Sequence, residues 1–214
     1  MTSAAAPPLP DSREFAAAWK RMRDAIGGEL LTDDAARGRY ATDASIYQIV
    51  PLAVLVPKND DDVRVAMAIC AEAGIPILPR GAGSSQCGQS VGRALVLDDS
   101  KALNNVVAFD ADARTVTVEP GVVLDQLNAW LRRHAVWYPV DVSTSAQATL
   151  GGMAGNNSCG SRSIAYGNMV HNVLGIEGWL SDGELLEFGP VGTLQTPSTF
   201  ARGSSASRSF SDFV

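Results

Sequence analysis

Cysteine is scarce: Cys70, Cys87 and Cys159 are odd in number, widely separated, and form no C-x-x-C pair. That spacing excludes a disulfide framework and the compact zinc or iron–sulfur ligand sets, and it leaves reduced thiols as the expectation. Histidine occurs only at positions 134 and 171. Basic residues are outnumbered, 17 Lys and Arg against 23 Asp and Glu, for a formal net charge of −6. A nucleic-acid surface needs clustered basic residues to displace counterions, so that partner class is excluded. Any bound anion must be held by local donors and not by a global field. No window approaches the roughly 18 apolar residues of a membrane span, and the opening MTSAAAPPLPD has neither a basic n-region nor an apolar h-region. A soluble, cytoplasmic protein is expected. What is present, 46% hydrophobic and 19% charged residues in a chain of 214, is an ordinary globular mixture, enough for one good core or two small ones.

Phe15, Trp19, Met22 and Ile26 fall on one face of a helix over Ser12 to Ile26, after an Asp11 or Ser12 cap. AVLV at 53–56 is too short for a helix. Asn59 to Ala73 has a cap, three aspartates in its first turn and apolar residues at helical spacing, and Gly74 stops it. Ile75 to Leu78 and Ala94 to Leu97 are further short apolar runs. The order strand, helix, strand, glycine-rich loop, strand predicts a small α/β unit with parallel pairing. From Val106 the texture changes: VVAFDADARTVTVEPG predicts an antiparallel hairpin around Asp-Ala-Asp, followed by a helix over Val122 to His134 with Leu124, Leu127, Trp130 and Leu131 inward. Residues 136–168 are rich in small residues and nearly aperiodic, too long for a mere connector. Val173 to Leu180 and Leu185 to Phe188 flank Ser-Asp-Gly as a last hairpin. The expected domains are a helical lead at 1–45, a cofactor-binding domain at 46–190 with subdomains 46–100 and 101–190, the second incomplete, and a disordered or foreign serine-rich tail at 191–214.

The stretch PRGAGSSQCGQS, Pro79 to Ser90, nearly fits two phosphate motifs. It has the glycine spacing of a P-loop, but Gln89 stands where the lysine should be, which disfavours triphosphate hydrolysis. Gly81-Ala82-Gly83 opens like a dinucleotide fingerprint, but Gln86 replaces the third glycine and the chain runs on into a strand instead of a helix. Two readings stay open on spacing alone: a plain glycine turn, or a loop whose successive amides, with the Ser84 and Ser85 hydroxyls, form an anion-holding concavity. Charge-assisted hydrogen bonds contribute about 1.5–3 kcal/mol each, so four or five donors could hold a diphosphate without lysine. Gly151, Gly152, Gly155, Gly160 and Gly167, with Asn156, Asn157 and Ser158, form a second small-residue passage. Two such loops suggest an elongated ligand touched at two places, with main-chain amides in both turns as its grip.

PRGAGSSQCGQS, VEPGVVLDQLN, YPVDVSTSAQATLGGMAGNNSCGSRSIAYGN and VLGIEGWLSDGELLEFG, in that order and spacing, resemble the PCMH-type FAD-binding domain of the vanillyl-alcohol oxidase/p-cresol methylhydroxylase flavoproteins. Within that family the resemblance is greatest to FAD-linked D-2-hydroxyacid dehydrogenases of the D-lactate or D-2-hydroxyglutarate type. It covers about Ile46 to Pro190. It implies an α+β fold: a small parallel α/β subdomain followed by a mainly antiparallel sheet subdomain with helices. It also implies FAD as cofactor. Gly81, Ala82, Gly83, Ser84 and Ser85 match the pyrophosphate loop, with Arg80 at its entrance. Pro139, Asp141 and Ser143 match the segment beside the flavin. Thr149, Gly151, Gly152, Ala154, Gly155, Asn156 and Asn157, within Thr149 to Asn157, match the loop along the ribityl and ring portion, and Ser158 is a further candidate for cofactor contact. Ser161 and Tyr166 match the stretch near the isoalloxazine, and the Ile176 backbone matches the adenine end. For Tyr166 a core position, and for Asn156 and Asn157 left-handed turn positions, are equally open.

Relatives with covalent flavin carry histidine where Ser84 stands, so the resemblance implies noncovalent FAD. His134 is expected to interact with a helix end, and His171 is a minor candidate for substrate or flavin contact. The parent enzyme would oxidise a D-2-hydroxy acid by hydride transfer to flavin N5 and pass electrons to an acceptor the sequence does not name. Its catalytic base and carboxylate-gripping arginines are expected outside this chain, which would not turn over alone. Two other readings are a flavin-binding module completed by another subunit and an NADPH-dependent enolpyruvyl sugar-nucleotide reductase on the same flavin fold. The VDVSTSAQATLGGMAGNNSCGSRS block disfavours the last.

Overall fold

The computed structural model describes residues 12–189 and the short strand Asp212–Phe213. It divides into two sheets, each with its own core. The first sheet has the order β1-β2-β4-β3, with β1 Glu29–Leu31, β2 Ala53–Val56, β3 Ile77–Arg80 and β4 Leu95–Asp98. β2 and β3 run parallel to β4, and β1 pairs antiparallel with β2. The expected α/β unit is therefore present. β3 reaches two residues past the apolar run that announced it and takes in Pro79; as an edge strand it tolerates a residue that cannot donate.

Helix α3, Asp60–Ala73, forms for local reasons. The Asn59 side chain caps the Asp62 amide at 3.0 Å, three aspartates face the positive helix end, and Gly74 at φ 66° closes it. The buried Asp62 carboxylate also accepts from the Gly27 and Lys58 amides, each at 2.8 Å, tying the N-terminal segment to the helix start.

Helix α1, Ala16–Ala25, packs on α3, and Trp19 and Met22 enter the same core as Leu55, Val63, Ile69 and Leu95. The expected helical lead thus shares the core of the first unit instead of standing apart. Its strand, β1, is three residues long, too short to show a period. α2, Asp34–Arg39, follows, capped by Asp33 at the Ala36 amide.

The second sheet has the order β5-β6-β9-β7-β8, all antiparallel, with β5 Val106–Asp110, β6 Thr115–Val118, β7 Gly175–Trp179, β8 Leu185–Phe188 and β9 Asp212–Phe213. Both expected hairpins are present. Of the tail expected to be disordered, only β9 lies within the described residues. Helix α4, Leu124–Leu131, turns Leu124, Leu127 and Leu131 into a core with Val116, Val118, Leu150, Met153 and Met169. Its first amides are taken by Ala148 O and Ser145 O, which binds the start of the small-residue passage to the helix. That passage contains three short helices unexpected from the sequence: α5 Leu150–Gly155, α6 Ser163–Tyr166 and α7 Met169–Asn172. Trp179 of β7 packs against the first core and joins the two units.

Candidate flavin site

The loop after β3 turns its carbonyls inward. Arg80 O accepts from Asp99 N, Gly83 O from Ala44 N, and Gly88 O from Val91 N. The amides of Gly81, Ala82, Gly83, Ser84, Ser85 and Gln86 donate to no described residue, and the segment is half-buried to exposed. A row of amides with no partner inside the protein can face solvent or an anion. Gly83 sits at φ 67°, where a side chain would be strained, so the loop needs glycine at this turn.

The second passage meets this loop edge to edge. A methyl group on Gly81 would overlap the Thr149 hydroxyl. The Thr144 hydroxyl lies 3.5 Å from that of Ser84, and Gln89 donates to Asn156 at 3.2 Å. Residues 60 or more positions apart are thus in contact where the two sheet units meet.

The amide half of the expectation for this second passage is corrected by the geometry. Leu150 N goes to Val122 O, Gly151 N to Pro120 O, Gly152 N to the Thr149 side chain, and Met153 N to Thr149 O. The passage is a capped helix, so its amides are used internally. What it offers a ligand is bare backbone: Gly152 and Gly155 are exposed, and nothing lies within 4 Å of a Cβ built at Gly155. Ala154 is half-buried. Asn157 sits in the left-handed region at φ 45°, and its side chain accepts from the Val170 amide at 3.0 Å, so its role is a turn. Ser158 likewise bonds through its carbonyl to the Met169 amide.

Several other expected contacts have jobs inside the protein. The Arg80 guanidinium donates to Tyr40 O, Thr42 O and Ser90 O at 3.2, 2.8 and 3.1 Å and lies over the Tyr40 ring. Tyr40 in turn donates to the buried Asp98 carboxylate at 2.6 Å; burial, then that bond, pushes the phenol pKa up. Asp141 accepts from the Arg162 amide at 3.0 Å and the Ser161 hydroxyl at 2.7 Å, and these two bonds hold its carboxyl below the ordinary range. Asp43 is also lowered. Burial would raise it, but bonds from Ser45 and Ser90 outweigh that effect.

Tyr166 is half exposed and meets Trp137 edge-on at 5.3 Å, with the Arg162 guanidinium 5.1 Å from the Trp137 ring, so the core alternative for Tyr166 is ruled out. Pro139 and His171 line a separate cavity of about 490 Å³ with Phe109, Arg114 and Trp137. His171 Nδ1 accepts from the Asn168 amide as part of a helix cap, and the His134 ring stacks on Phe109 and Trp130. Ser143 is exposed, and Ile176 pairs with Phe188 inside the second sheet. No local spacing in the sequence marks Thr144 and Trp137; only their position in three dimensions does.

The Asp141 bonds have a measurable consequence. A carboxyl whose folded-state pKa is depressed stabilises its surroundings at neutral pH, and that contribution disappears as pH falls through the folded-state value. Asp141→Ala should therefore speed tryptic cleavage after Arg162 several-fold at neutral pH. The unsubstituted chain should show the same acceleration only under acid conditions, with an acid protease as probe.

Two sheet units in contact at Gly81 and Thr149, one with a parallel α/β core and an amide loop, the other antiparallel with a small-residue helix, make up the fold. The FAD binding domain family matches residues 51–189, and the chain belongs to it, so FAD is its cofactor. D-2-hydroxyglutarate dehydrogenase of Pantoea ananatis is 38% identical over 169 residues, covering 78% of this chain and 16% of that protein. Glycolate oxidase subunit GlcD of Bacillus subtilis is 36% identical over 172 residues, covering 77% and 36%. The solved structure of p-cresol methylhydroxylase with substrate bound shares the fold, with a TM-score of 0.72 at 20% identity over 96% of this chain and 44% of that one. The PCMH-type α+β fold read from the sequence is the fold found. The chain spans about a sixth of the length of the D-2-hydroxyglutarate dehydrogenases it matches. No helix among the described residues is long and apolar enough to cross a membrane.

Proposed function

We infer that the chain holds the diphosphate of FAD, noncovalently, on the amides of Gly81 to Ser85, with Thr149 and the bare glycine face of α5 along the adjoining part of the cofactor. The observation that carries this is the run of amides turned away from every described acceptor and set against Thr149. The residues fit the group: the loop offers donors, the glycines admit close approach, and the nearby Asp43 carboxylate is occupied by Ser45 and Ser90. Ser84 at the place of the histidine that carries covalent flavin supports noncovalent binding.

The parent protein oxidises a D-2-hydroxy acid, the reading its relatives' names support best. FAD, when bound, would supply the two-electron acceptor for that reaction. The part played by this chain's residues is to bind and orient it. No residue of this chain is proposed as the base or as a partner of the substrate's carboxylate.

The test is an absorption spectrum of the purified chain, with and without added FAD, followed by acid precipitation. Flavin bands that travel with the protein on gel filtration and are released by acid are expected. Failure to bind added FAD, or flavin that stays with the precipitate, contradicts the reading.

A second reading, a module completed by another subunit, is favoured by one feature. Ile164 is fully exposed, and Val170, Trp137, Tyr166 and Leu174 are about half exposed on the same stretch of the second unit. Flavin binding that appears only with a copurifying partner would support it.

A further inference from the structure

We propose that Arg80 is an electrostatic positioning residue for the FAD diphosphate: a permanent cation fixed beneath the amide loop that favours the phosphates without touching them. This deepens the FAD reading and rests on it.

A guanidinium cannot deprotonate in a protein and presents a planar fork of donors. In this fold Arg80 donates to three backbone carbonyls, those of Tyr40, Thr42 and Ser90, and stacks over the Tyr40 ring. All of these partners are neutral. Among the described residues no carboxylate forms an ion pair with Arg80, and the buried Asp98 nearby is engaged by the Tyr40 and Ser100 hydroxyls. The charge is therefore held in place but not neutralised.

It also lies directly against the loop. A Cβ built on Gly83 would come 2.8 Å from the guanidinium carbon, so the loop folds over the cation and no side chain can intervene. The carbonyls that hold the guanidinium come from Tyr40 and Thr42, about 40 residues before it, and from Ser90, just past the loop. They leave it no freedom to swing outward as an exposed lysine would. A fixed positive charge below outward-facing amides is an arrangement suited to a diphosphate, and it explains how the loop can dispense with the P-loop lysine that Gln89 replaces.

The test titrates the 214-residue chain and its Arg80→Gln and Arg80→Lys variants with FAD, ADP and riboflavin, by flavin fluorescence and by calorimetry. Gln retains donors for the carbonyls without the charge, and Lys retains the charge without the fork. At separations of several ångströms and an effective dielectric near 20, removing the cation should weaken FAD and ADP about tenfold or more. Riboflavin, which has no phosphate, should change less than about twofold. Lys should recover most of the loss, and the salt dependence of FAD binding should flatten in the Gln variant.

A purely structural prop would weaken all three ligands alike and leave Lys no better than Gln; that result overturns the proposal, as does unchanged FAD affinity in Arg80→Gln. Loss of cooperative melting in both variants makes Arg80 a prop and overturns it too. If the unsubstituted chain binds no FAD, the diphosphate reading itself falls and takes the proposal with it.

Discussion

Replacing Gly81 by alanine should cost the chain at least tenfold in FAD affinity, and replacement by valine should abolish binding; at about 1.4 kcal/mol per tenfold, this is a modest energetic demand. A methyl group at this position overlaps the Thr149 hydroxyl and comes within 3.3 Å of that side chain's two other carbons. Thr149 cannot yield. It is buried, 2% exposed, and caps α5 by accepting from the Gly152 amide. Forcing atoms into such a contact costs about 1–3 kcal/mol, and the relief is for the two sheet units to part where the loop meets Thr149. The diphosphate loop and the α5 face would then no longer address one ligand together. Equilibrium titration with FAD measures the loss. The double variant Gly81→Ala with Thr149→Ala should recover part of it, since the obstructing hydroxyl is gone, although loss of the cap costs about 1 kcal/mol on its own. Gly38→Ala is the control: nothing lies within 4 Å of its added methyl, and FAD affinity should not change.

The largest effect on stability should come from Leu127→Ala, with a loss of about 2–5 kcal/mol in urea unfolding. Leu127, on α4, has no exposed surface and belongs to the second core together with Val118 of β6 and Leu150 and Met153 of α5. A cavity there undermines Leu150 and Met153, the residues that seat α5. FAD affinity should fall along with stability even though the substitution is nowhere near the loop. A loss below about 1 kcal/mol would mean that α4 does not pack as described.

Legibility in the sequence followed the strength of the local signal. α3 could be read almost residue by residue because Asn59, the three aspartates and Gly74 each mark it locally, and the two hairpins showed because alternation and turn residues coincide. The parallel pairing followed from the order of elements. α5 to α7 did not show, because glycine, alanine, serine and asparagine carry no hydrophobic period. α5 becomes helical because Thr149 caps it and the Pro120 and Val122 carbonyls take its first amides. The first loop was recognisable as a candidate from spacing, but the direction its amides face depends on carbonyl partners such as Asp99 and Ala44, which only the fold brings near. The same holds for Arg80, whose partners at Tyr40 and Thr42 lie far upstream.

The central claim, that the outward amides of Gly81 to Ser85 receive the diphosphate, is tested most directly by following the backbone ¹⁵N–¹H resonances of the chain as ADP and then FAD are added. The account predicts saturating downfield proton shifts concentrated at Gly81, Ala82, Gly83, Ser84 and Ser85, produced by both phosphate-bearing ligands and absent with riboflavin. Shifts confined to the cavity around Trp137 and His171, with the loop amides unmoved at saturation, would contradict it.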